Sequence, residues 1–335
     1  MRVDTAIHAS SIRTAAITVA LIAAAVFAPV ARATFPGTRG PIAFQRFTDP
    51  NDESSAQVFR VKPGHHQLVR QLTAFRGGSF VPDYSPNGGR ILFERRFLDG
   101  SPDAMYKMRG DGAHVVGLST RCSGKCLGDD DPAFSPNGRR IVFVRAFGPI
   151  IDDNASELDL MAARADGTGE RVIRRFPLVG GGWEPHSPQW SPDGRRLAVM
   201  LLNVAKPGTP SAIFVVRPDG THLHRITPLK LNAGNPDWSP SGRKIVFNSS
   251  YEGQALAEIY TVRPNGNRLD RVRHQPKGNY AFEPVFSPDG KRIAFADTGD
   301  KGIPHIRTMR RNGTGVRQLT HGRVVDVAPD WGASR

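Results

Sequence analysis

Only two cysteines occur in the 335 residues, and H-E-x-x-H, paired C-x-x-C and G-x-S-x-G are all missing. Two thiols alone are too few ligands for a structural zinc site, and a redox pair would want C-x-x-C. Without the other motifs there is no zincin helix and no α/β-hydrolase elbow. Acidic residues are also scarce, 31 against 45 Lys and Arg, for a formal net charge of +14. That balance favours acidic partners or surfaces and says nothing about fold. No DNA- or RNA-reading module accompanies it, so nucleic acid is not an expected partner. No segment beyond residue 33 has helical periodicity.

A long apolar run occurs once. Ala15 to Val30 follows Arg2 and Arg13 and precedes Ala31-Arg32-Ala33, the three parts of a secretory signal peptide. The run falls short of the roughly 18 apolar residues a spanning helix wants, so cleavage is expected after residue 33. The expected organisation is a signal peptide over 1–33, a short segment over 34–39 and one repeat domain over 40–335. Export makes a disulfide between Cys122 and Cys126 the simplest reading of "RCSGKC".

What the chain has in abundance is Gly, 35, and Pro, 27, without low complexity. They fall in repeats. "PDYSPNGGRILFE" from Pro82 returns as "PAFSPNGRRIVFV" from Pro132, "PQWSPDGRRLAVM" from Pro188, "PDWSPSGRKIVFN" from Pro236 and "PVFSPDGKRIAFA" from Pro284. A truncated copy, "PDWG", begins at Pro329. A period of about 50 residues signals a solenoid, propeller or array. Within each copy Ser opens a turn, Pro presets φ, Asp or Asn follows, and Gly takes the left-handed position of a bulged hairpin. The next residues alternate, as Ile141 and Phe143 do, which marks a strand. A second hairpin follows in every unit, with Asp-Gly or Asn-Gly between apolar runs, as in "IFVVRPDGTHLHRIT" from Ile213.

Each repeat is therefore four strands. The first unit holds strands two to four, "GPIAFQRF", "QVFRV" and "LVRQLT", while the last ends on a solitary first strand, "VAPDWG". Pairing the C-terminal strand into the N-terminal sheet gives an all-β, six-bladed propeller of four-stranded antiparallel blades, closed without exposed edges. A monomer is expected. The S-P-[DN]-G-[RK]-x-[IL]-x-F pattern resembles the WD40-like PD40 repeats of TolB-type β-propellers, over about residues 40 to 332. That resemblance implies an exported, periplasmic or extracellular, envelope-associated binding module. TolB proteins carry an α/β domain ahead of the propeller, whereas here Thr34 to Arg39 alone stand between the expected cleavage site and the first strand.

Strand direction puts both short turns of every blade on one face and the longer connections on the other. Loops on a rigid scaffold are where binding residues concentrate. Around the loop-face mouth, just before each strand-opening Pro, stand Asp130, Asp131, Glu184, His186, Glu283 and Asp326. Such carboxylates with one imidazole suit a hard cation such as Ca2+, or a cationic group on a protein or peptide. His186 with Glu184, Asp131 and Glu283 is also the one cluster that could serve a metal-dependent hydrolase or lyase. On the turn face every blade sets a base before its second turn: Lys62, Arg109, Arg164, Arg217, Arg263 and Arg310. This basic collar suits an anionic surface. No catalytic or metal-ligating residue is assigned from the sequence.

Overall fold

The computed structural model describes residues 35–334 except 65–67, 119, 150–154, 207, 209, 251–256, 274–278 and 300–301. The expected leader over 1–33 lies outside the described residues. Blade 1 contains Thr38–Phe47 (β1), Ala56–Val61 (β2) and Val69–Gln71 (β3). Blade 2 is Ser79–Tyr84 (β4), Arg90–Arg95 (β5), Ala104–Arg109 (β6) and Val116–Gly117 (β7). Blade 3 is Cys126–Phe134 (β8), Arg140–Phe147 (β9), Glu157–Arg164 (β10) and Arg171–Pro177 (β11). Blade 4 is Trp183–Trp190 (β12), Leu197–Asn203 (β13), Ser211–Val216 (β14) and His224–Arg225 (β15). Blade 5 is Ala233–Trp238 (β16), Ile245–Ser250 (β17), Ala257–Val262 (β18) and Asp270–Arg273 (β19). Blade 6 is Ala281–Phe286 (β20), Arg292–Asp297 (β21), His305–Arg310 (β22) and Arg317–Gln318 (β23).

The last strand, Val325–Ser334 (β24), pairs antiparallel with β1, so blade 1 has the order β24-β1-β2-β3. Around the axis β24, β4, β8, β12, β16 and β20 each touch the next, and β20 touches β24. The ring is closed by the two ends of the chain. Trp331 adds a side-chain latch, its Nε1 donating to the Gly40 carbonyl at 3.1 Å. Two single 3-10 turns, Glu53–Ser55 and Leu229–Leu231, lie in the connections. No described helix is long and apolar enough to cross a membrane.

The turn chemistry acts as its residues dictate. In blade 2 the Gly88 N–H donates to the Ser85 carbonyl at 2.8 Å, and Gly88 adopts φ +66°, where a side chain would be strained. Ser85 does more than open the turn. Its Oγ accepts the Arg90 N–H at 2.9 Å, and Ser135, Ser191, Ser239 and Ser287 repeat that bond five residues along. Paired turns within a blade also join, as where the Gly110 N–H reaches the Gly89 carbonyl at 3.0 Å. Both short turns of a blade thus share one face.

Alternation in the second strands fills the space between blades. Ile42, Phe44, Ile91, Phe93, Ile141, Phe143, Ile245, Phe247, Ile293 and Phe295 are all fully buried. So are their neighbours Ala43, Leu92, Val142, Val246 and Ala294, because each sheet is covered on both sides. Each large apolar side chain buried this way contributes about 2 kcal/mol of transfer free energy.

Candidate functional site

The mouth is built on a distortion repeated six times. Val81, Asp131, Ser187, Asn235, Glu283 and Ala328 each precede the strand-opening proline, and all have φ between 50° and 56°. At that point every innermost strand slips register against its neighbour. A left-handed, non-glycine residue before proline is costly and persists where its surroundings hold it. Here the next blade back supplies much of that hold, by accepting the N–H that the bulge turns out of the ladder. Asp131 Oδ2 accepts the Ser187 N–H at 3.0 Å, and a Glu283 carboxylate oxygen accepts that of Ala328. Gln45 and Asn248, from second strands, accept the N–H groups of Val81 and Glu283 at 3.3 and 3.2 Å.

The six mouth residues singled out in the sequence therefore separate. Asp131 and Glu283, 2% and 3% exposed, each commit an oxygen to the backbone of the following blade. Asp326 is fully buried in blade 1, where Arg46 forks onto it through Nε at 2.6 Å and Nη2 at 3.0 Å, with His305 Nδ1 at 3.4 Å. Asp130, Glu184 and His186 stay partly exposed, the last two beside Asp131 where blades 3 and 4 join. His186 lies between Glu184, 3.3 Å from Nε2, and Asp131, 3.9 Å from Nδ1.

Two residues absent from the sequence reading complete this region. Glu94, near the end of β5, and Asp103, just before β6, bring carboxylate oxygens within 4.8 Å of each other and of Asp130. Arg96 answers part of that charge, its Nε 3.4 Å from Glu94 and 3.3 Å from Asp103, while Nη1 reaches Glu53 at 3.0 Å. The guanidinium also lies 4.2 Å over the Phe80 ring. Burial, then the charge of Asp130, pushes the Glu94 carboxyl well above the usual carboxylate range and the Asp103 carboxyl up to about 7. Both effects oppose ionisation in a place crowded with like charge.

Other acids hold the scaffold. Asp83, Asp237 and Asp330, fully buried, accept the N–H of the next blade's aromatic: Phe134 at 2.9 Å, Phe286 at 2.7 Å and Tyr84 at 2.6 Å. The recurring Pro-Asp-aromatic triplet carries that signal in the sequence. Asp129 in blade 3 repeats the arrangement of Asp326, taking Arg145 Nε at 2.6 Å and Nη2 at 2.9 Å, and Arg145 also reaches Glu170. Cys122 and Cys126 are joined as a disulfide with Cα atoms 5.2 Å apart, next to this pair.

On the opposite face Lys62, Arg109, Arg164, Arg217, Arg263 and Arg310 are all exposed. The turn aspartates there mainly serve backbone. Asp193 Oδ1 accepts the Arg195 N–H at 3.1 Å, and Asp219 Oδ1 accepts that of Thr221 at 3.0 Å. The two faces differ in sign: buried and half-buried carboxylates at the loop end, exposed cations at the turn end.

Residues 178–333 match the TolB beta propeller domain of the PD40 family. An uncharacterized protein of Agrobacterium fabrum, Atu1656, is 34% identical over 264 residues, which is 76% of this chain and 77% of that protein. The chain belongs to the TolB-like family of PD40 β-propellers. A Tol-Pal system protein TolB from Anaeromyxobacter dehalogenans is 35% identical over 98 residues, covering 29% of this chain and 21% of the relative. The TolB-like chain thus spans about a fifth of the length of that curated relative. The crystal structure of TolB from Acinetobacter baumannii superposes with a TM-score of 0.67 at 15% identity, over 88% of this chain and 67% of that one. At that identity the likeness concerns the fold. In this TolB-like propeller the acids of the mouth, rather than the repeat framework, are what must be read for function.

Proposed function

We propose that this TolB-like propeller is an exported binding module that takes a protein or peptide segment across its loop-face mouth. The observation that carries the reading is a run of acids along the loop-face mouth: Glu184 and Asp131 flank His186 where blades 3 and 4 join, and Asp130 groups with Glu94 and Asp103 where blades 2 and 3 join. A negative recess on a strongly basic molecule selects a segment bearing Lys or Arg. The innermost strands that present it are latched blade to blade, so the recess is preformed and binding need not order it. Export rests on the basic, apolar and small-residue parts of residues 1–33. The Tol-Pal name of the TolB relatives supports a cell-envelope setting.

The test uses the full chain as bait on native envelope extract, beside D130K/E184K and the turn-face variant R164E/R263E. The expected result is a protein partner held by the wild type and by R164E/R263E and released by D130K/E184K. Retention by D130K/E184K overturns the reading. A second reading, a metal-dependent hydrolase or lyase at the mouth, has the placing of His186 between two carboxylates in its favour. Tightly held transition metal lost together with turnover in His186→Ala would select it.

A further inference from the structure

The junction of blades 2 and 3 holds more negative charge than its fold needs. Unlike Asp131 and Glu283, which clasp backbone, Glu94 Oε1 is buried and accepts no hydrogen bond. Its nearest cation, Arg96 Nε, stands at 3.4 Å and is also the group facing Asp103. That Nε–H is donated to Asp103, and the rest of Arg96 is drawn off towards Glu53 and the Phe80 ring, so Glu94 has the charge nearby but not the hydrogen bond. Asp130 adds a third carboxylate to the same small volume.

We infer that Glu94, Asp103 and Asp130 form a divalent-cation site suited to calcium. All donors are carboxylate oxygens, the chemistry of a hard cation, and no imidazole or thiolate enters the set. The three oxygens lie within 4.8 Å of one another, close enough to share one ion at calcium's metal–oxygen distance of about 2.4 Å. Calcium's tolerance of irregular coordination, against the near-ideal octahedron that magnesium demands, makes it the better match to three carboxylates from separate strands. Glu94 comes from β5, Asp103 from the approach to β6 and Asp130 from β8, so the ion would tie two blades. Asp103 and Asp130 are partly exposed, which gives the ion a way in and leaves room for waters to complete six to eight oxygens. The site shares these acids with the peptide-binding reading but is tested apart from it, since calcium binding needs no macromolecular partner.

The experiment is calorimetric titration of the chelator-stripped full chain with calcium chloride, with no peptide or protein ligand present. Saturable binding at one ion per chain is expected. D103N and E94Q should each weaken it at least tenfold, and D289N, on the turn face, should leave it unchanged. Thermal melts of the same proteins, with sodium chloride at matched ionic strength as control, should show a calcium-dependent rise that D103N loses. If E94Q fails to fold, the partly exposed Asp103 carries the test alone. No saturable binding at millimolar calcium, or binding undiminished in D103N, overturns the site.

Discussion

The carboxylate of Asp83, on the innermost strand of blade 2, accepts the backbone N–H of Phe134 on the innermost strand of blade 3 at 2.9 Å. Both residues are buried, and the same bond links Asp237 to Phe286 and Asp330 to Tyr84. The six sheets are separate ladders, with an isolated bridge such as that of Asp103 and Gly128 between blades 2 and 3, so polar clasps of this kind supplement side-chain packing between blades.

Removing such a clasp should cost more than an ordinary hydrogen bond. Asp237→Ala leaves the Phe286 N–H buried without its charged acceptor, a loss of about 2–3 kcal/mol. Asp237→Asn keeps an acceptor oxygen and should lose roughly half as much. Urea unfolding measures both. Asp289→Asn, at a turn, is the comparison and should stay within about 0.5 kcal/mol of wild type.

Arg46 and Asp326 form a pair whose halves depend on each other. Arg46→Met strands a buried carboxylate and should destabilise by about 3–5 kcal/mol. The double variant Arg46→Met with Asp326→Ala removes both charges and should recover most of that loss. A double-mutant cycle by chemical denaturation gives the coupling, and a double variant as unstable as the sum of the singles would contradict it.

Asp159 makes stability depend on pH. It is 1% exposed on β10, across from Arg145 on β9 and Arg175 on β11. Burial, then the charge of Glu157, pushes its carboxyl up to about 6 against the pull of Arg175. An unfolded Asp titrates near about 3.9. Since the folded value is the higher one, its stabilising effect is complete below about pH 4 and is lost as pH rises to about 6. Asp159→Asn should therefore be more stable than wild type by about 2 kcal/mol at pH 7.5 and indistinguishable at pH 4. Unfolding curves at the two pH values decide it.

The exposed bases of the turn face should give salt-sensitive attraction to anionic surfaces. Co-sedimentation with vesicles containing anionic lipid is expected at low salt and should fade as ionic strength shortens the screening length to about 8 Å. R164E/R263E should lower retention several-fold at low salt. Equal retention of wild type and variant on the anionic vesicles, or retention unchanged by salt, would show that the charge is not responsible.

The blade count was legible because its causes are local. Ser, Pro and Gly within five residues make the Ser85 to Gly88 turn wherever they occur, and alternation such as Ile141 with Phe143 marks the following strand without knowledge of its neighbours. The unpaired "APDWG" at the end and the missing first strand at the start were enough to close the ring on β1. Cation–carboxylate clusters have no such local origin. Asp131 and Glu283 look alike in sequence to Asp130 and Glu184, yet two became backbone acceptors and two stayed at the surface, because a left-handed bulge aims the residue before proline into the adjoining blade. Glu94 follows the repeat aromatic Phe93, where Val144 and Ala296 stand in other blades, and nothing in its own stretch foretells Asp103 and Asp130 beside it. Turns and alternation are decided by a few neighbouring residues, whereas meeting across a blade junction requires the whole ring to have formed.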